Sequence, residues 1–120
     1  MGNVYDKAHA LARELRQAPE VVQLREISQQ IETNPEQKKL LLAFQQQQFA
    51  LQAKQMQGES PSEEDVNKLN EQVAKLQQEP LLVQYLELMQ RLSVITADIQ
   101  QIMSEPLQDI FHFAEGDMPE

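Results

Sequence analysis

Residues 49–66 read FALQAKQMQGESPSEEDV and follow four consecutive glutamines, Gln45 to Gln48. Up to Met56 the residues are strong helix formers, because Ala, Leu, Gln, Lys and Met lose little side-chain freedom in a helix. Gly58 then interrupts the run, and glycine enters the left-handed conformation of a helix C-terminus without a Cβ penalty. Two residues later SPSE predicts a restart: Ser60 as N-cap, Pro61 in the first turn and Glu63 reaching back to complete a capping box. A stop and a restart this close together predict an αα-hairpin with its corner at Gly58, Ser60, Pro61 and Glu63.

The incoming arm is predicted from Pro35 to Gln57, roughly 35 Å at 1.5 Å per residue, with Asn34 as N-cap and Pro35 at the first helical position. Leu42, Gln46, Phe49, Ala53 and Met56 recur alternately four and three residues apart, the spacing of a coiled-coil seam. The returning arm, Pro61 to Gln78, places Val66, Leu69, Val73 and Leu76 in the same rhythm. Residues 35–78 form the hairpin. Four glutamines in a row point all round a helix, so Gln46 is expected in the seam, where a buried amide can set register, while helix propensity by itself accounts for most of the tract.

Around the hairpin the chain divides at its prolines. A first helix is expected from Tyr5 to Gln17, capped by Asn3, with Ala8, Leu11, Ala12 and Leu15 on one stripe. Pro19 ends it or opens the next, and a second helix carries Val21, Leu24, Ile27, Ser28 and Ile31. After Pro80 the stripe Leu81, Tyr85, Leu88, Leu92, Ile95, Ile99 and Ile102 holds for three heptads. A second stripe of Leu82, Leu86 and Met89 widens it, and a face this broad must meet more than one neighbour. Residues 81–103 are therefore the expected core helix. A short helix from Pro106 would be anchored by Leu107, Ile110 and Phe111. No segment alternates as a strand does. The fold class is all-α: five to six helices in one domain, 1–112, with a protruding hairpin and a flexible acidic tail, 113–120.

Composition removes most chemistry. The 120 residues include no Cys and only two His, so thiolate metal sites, disulfides and cysteine nucleophiles are excluded within this chain. His9 follows Asp6 at helical spacing, and His112 precedes Glu115 and Asp117, yet each is a fragment of a ligand set rather than a site. No phosphate-cradling glycine loop, nucleophile elbow or zinc-binding histidine pair occurs. Glu63, Glu64 and Asp65 sit at a helix start, where the helix dipole accounts for them. The expectation is a protein that is not an enzyme and needs no cofactor.

The net charge is −9, and no Lys or Arg follows Arg91. Such a field opposes nucleic acid and anionic lipid, although Lys38 and Lys39 form a local basic spot. Glu87, Arg91 and Asp98 interrupt the most apolar segment, which makes membrane insertion expensive. The N-terminus lacks the pattern of a secretory leader, and a cytoplasmic location is expected.

The hairpin carries large apolar groups on more than one side: Phe44, Phe49, Leu51 and Met56 do not share one stripe. One chain cannot hide them all, so a second copy is expected to cover them. The interface residues are Leu42, Gln46, Phe49, Met56, Val66 and Leu69, in a homodimer or a higher oligomer.

Three segments carry a family resemblance: VYDKAHALARELRQAPEVVQL, the opening FALQAKQMQGESPSEEDV, and IMSEPLQDIF. They resemble the YheA group of the YlbF/YmcA family, small helical bacterial proteins, and the turn Lys54–Glu59 is the most distinctive piece. The resemblance implies an all-helical oligomer with a projecting hairpin. It also implies kinship with non-enzymatic regulators, YlbF and YmcA, that act with YaaT in competence, biofilm formation, sporulation and RNA processing. An accessory role in RNA processing, with direct RNA contact, is the alternative reading. Those relatives carry cysteines implicated in iron–sulfur binding, which this chain lacks, so neither the cluster nor that complex carries over.

Overall fold

The computed structural model describes residues 2–110, and the structural statements that follow concern those residues. Five α-helices run in order: α1 (Val4–Gln17), α2 (Pro19–Glu32), α3 (Pro35–Met56), α4 (Glu63–Gln77) and α5 (Pro80–Ser104), with a 3₁₀ turn at Glu105–Leu107. No strand occurs among the described residues. The sequence punctuation explains the boundaries. Asn3 and Asn34 accept from the Asp6 and Gln37 amides, at 2.9 and 3.1 Å, which satisfies donors that have no partner inside the helix. Pro19, Pro35 and Pro80 open α2, α3 and α5, where the missing N–H is no loss. Gly58 closes α3 with φ +79°, a conformation that side chains with a Cβ resist.

The α4 cap differs from the sequence expectation. Ser62, rather than Ser60, caps the helix: its hydroxyl accepts from the Asp65 amide, and the Asp65 carboxylate accepts from the Ser62 amide, both at 3.1 Å. SPSE and SEED both satisfy the capping-box template. The later one prevails because it places Asp65 against Lys54 of α3, with which it forms an ion pair. Ser60 and Pro61 remain in the connection, and Glu63 is the first helical residue rather than the one reaching back.

The core is small. Leu24, Ile27 and Ile31 of α2, Leu41 and Phe44 of α3, Leu76 of α4, and Leu82 and Leu88 of α5 make up its buried apolar part. Helix α1 contributes no buried residue. The broadest pairing joins α2 to α5, and α3 to α4 comes next. In α5 the centre of the core is Leu82, 0% exposed, which belongs to the second stripe. The long stripe is buried only at Leu88, half-buried at Leu92, Ile95 and Ile99, and open at Ile102, 63% exposed. The expected anchor beyond Pro106 is not made within the described residues, because Leu107 and Ile110 are both exposed. Phe111, His112 and the acidic tail lie outside them.

The molecule measures 49 × 44 × 16 Å with a radius of gyration of 19.3 Å, against about 13 Å for a compact domain of this length. Helix axes pack about 8–10 Å apart, so a thickness of 16 Å admits no more than two layers. The accessible surface is 9767 Å², whereas a folded monomer of this mass exposes about 6,600 Å². The chain is a thin, open slab.

Candidate functional site

Helix α3 sits at the junction of the slab and has three faces, set by a turn of about 100° per residue. The first meets α4. Gln72 of α4 donates from Nε2 to the Ala43 carbonyl at 3.4 Å, and Lys54 pairs with Asp65, so contacts near both ends show the two helices running antiparallel. The second face carries the buried Leu41 and Phe44. On this side Phe44 and Gln48 line a groove with Tyr85, Leu86 and Met89 of α5.

The third face is mostly exposed, although Leu42 at its start shares a groove with Ile31 of α2 and Tyr85 of α5 and Ala53 is half-buried. It carries Leu42, Gln46, Phe49, Ala53 and Met56, the stripe of coiled-coil spacing. Leu42 is 48% exposed, Phe49 75% and Met56 83%. Leu42 and Phe49 are seven residues apart, as are Phe49 and Met56, so the three lie almost in line along about 21 Å of helix. Apolar residues on opposite sides of one helix need cover on both. Among the described residues the Phe49 side stays exposed.

The other expected interface residues divide. Val66 is exposed near the start of α4. Leu69 is half-buried against the core of its own chain. Gln46 does lie in the outward stripe and is exposed. The glutamine that the chain buries is Gln47, 9% exposed, one step round the helix. Gln72, which sequence reading missed, is the polar group between α3 and α4. Its Oε1 is buried and meets no donor among the described residues. Its place at i+3 from Leu69, beside Val73, was the only available signal.

The turn carries an ion pair that shifts both of its partners. Lys54, donating to the Asp65 carboxylate, and the Ser62 backbone amide beside it hold Asp65 at about 2. The same pairing raises Lys54 above its ordinary value. Lys54 lies eleven residues before Asp65, with Gly58 between them. That spacing becomes a contact only when the chain reverses at the glycine.

At the other end of α3, Lys38 of the basic spot pairs with Glu32, and Gln37 donates to Glu79 at 3.4 Å. Among the described residues no three His, Asp or Glu side chains gather in a group able to hold a metal, so the Asp6–His9 pair acquires no third member. No described helix is long and apolar enough to cross a membrane.

Fold and surface together define the class: a small all-α protein of open, layered build, with a stripe of exposed apolar residues along α3. Residues 4–108 match the family described as control of competence regulator ComK, YlbF/YmcA. The chain belongs to that family. It is 41% identical to a UPF0342 protein of Alkalihalophilus pseudofirmus over 97% of this chain and 98% of that one. To a UPF0342 protein of Halalkalibacterium halodurans it is 40% identical, over 92% and 96%. Its fold is similar to a solved structure from Bacillus stearothermophilus, described as a protein of unknown function (DUF964). The TM-score is 0.68 and the identity 27%, over 87% of this chain and 94% of that one.

Proposed function

We propose that this chain is a non-enzymatic, cytoplasmic helical protein that self-associates through the outward face of α3 and acts as a regulatory or adaptor protein. The observation that carries the reading is the exposed stripe of Leu42, Phe49 and Met56. A solvent-facing helix side has no use for a coiled-coil repeat, and a second helix laid along it removes three large apolar groups from water. The surplus of accessible surface over a compact monomer, roughly 3,000 Å², is enough for the interface. An obligate homodimer takes roughly 1,000–2,500 Å² from each subunit.

A regulator that works by contact needs surfaces rather than a catalytic cleft. The family's description, control of a competence regulator, agrees with that kind of role. Val66, near the start of α4, is a further exposed apolar residue.

The test is Phe49→Asp, which puts a charge at the middle of the stripe. The mass of the wild-type protein by light scattering is expected to be a multiple of 13.8 kDa. The variant is expected to fall to the monomer with its helical circular dichroism largely kept. A monomeric wild type, or a variant of unaltered mass, rejects the reading.

A further inference from the structure

We infer that the second copy lies antiparallel along α3, with the twofold axis beside Phe49, so that the Leu42 end of one helix packs on the Met56 end of the other. This rests on the self-association proposed above and adds its geometry. The stripe is symmetric about Phe49: Leu42 and Met56 each stand seven residues away, about 10.5 Å along the axis. Apolar contact alone therefore allows a parallel pair as readily as an antiparallel one.

The charges separate them. Lys38 and Lys39 stand at the start of α3, while Glu59, Glu63 and Glu64 follow its end. Within the chain Lys38 already pairs with Glu32, and Lys39 forms no ion pair among the described residues. A parallel pair would set Lys39 beside the same residue of its partner, and the acidic turn beside a second acidic turn. Like charges so placed repel and disfavour that register.

Reversal about Phe49 exchanges residues that stand equally far before and after it. The Lys39 end of one α3 then lies beside the acidic turn of the other copy, where Glu59, Glu63 and Glu64 follow the helix end. Small side chains support the same arrangement. Gln46, three before, comes over Ala53, four after, which sets a long side chain against a short one. Ala50 and Ala53 leave room beside Phe49 for the opposing ring, as interdigitating seams require.

The chain has no cysteine, so introduced thiols report without background. Phe49→Cys, Leu42→Cys and Met56→Cys are made singly on the full chain, and the last two are also mixed with one carrying a size tag. All three positions are exposed, and circular dichroism checks that each variant stays folded. On mild oxidation Phe49→Cys is expected to form disulfide-linked dimers. Leu42→Cys and Met56→Cys are each expected to stay uncrosslinked alone and to give a mixed dimer together.

A homodimer of Leu42→Cys overturns the antiparallel geometry and leaves self-association standing. No crosslink from any variant of an oligomeric protein places the interface elsewhere and overturns it too. A monomeric wild type removes both readings. The charge argument has its own readout. Lys39→Glu is expected to raise the dimer dissociation constant about fourfold, and adding Glu59→Lys should restore it. Failure of that rescue removes the charge basis of the assignment.

Discussion

Ser62 and Asp65 hold the start of α4 by two reciprocal hydrogen bonds, and Asp65 also binds Lys54 across the turn. One carboxylate thus ties the end of α3 to the start of α4. Its acidity follows from the lysine first and the backbone amide second. Ser60, three residues before Glu63, satisfies the same template on paper and does none of this. Ser62→Ala is therefore expected to lower stability by about 1 kcal/mol, whereas Ser60→Ala should leave it almost unchanged. Denaturant titration of the two variants, side by side, checks the difference. Which serine caps was not legible in the sequence, because the choice depends on Lys54, brought near only by the reversal at Gly58.

At the scale of the element, α3 and α5 show two ways for a long helix to be apolar. Helix α5 is broad-faced at its start, where Leu82 and Leu88 are buried, and its later turns run out of cover. Leu82→Ala should cost about 3 kcal/mol, from lost burial and the cavity left behind. Ile102→Ala, between five and six turns on and largely exposed, should cost little in the isolated chain. Denaturant unfolding of both at equal protein concentration separates them. Helix α3 is apolar on opposite sides: Leu41 and Phe44 face inward, and Leu42, Phe49 and Met56 face outward. The heptad rhythm was plain in the sequence. Its direction was not, because periodicity gives a helix its stripes without saying which neighbour each one meets.

At the scale of the whole molecule, five helices spread over a slab 16 Å thick leave eight buried apolar residues to hold the fold. A core that small supplies limited stability on its own. If a second copy covers α3, part of the stability comes from association and follows mass action. The midpoint of thermal unfolding is then expected to rise by several degrees as protein concentration increases a hundredfold, and Phe49→Asp should abolish that dependence. Calorimetry or circular dichroism over a concentration series checks it, and a midpoint independent of concentration counts against association.

Helix boundaries, the glycine stop, the proline starts and the strandless class follow from the sequence by itself. Each is a local matter: a missing N–H, a missing Cβ or a side-chain cap acts within a few residues of its own position. The identity of the capping serine, the choice of Gln47 over Gln46 for burial, and the outward direction of the Leu42–Phe49–Met56 stripe were decided only in three dimensions. They depend on residues far apart in the chain, and a helix's own rotation treats all of its faces alike until its neighbours take some of them.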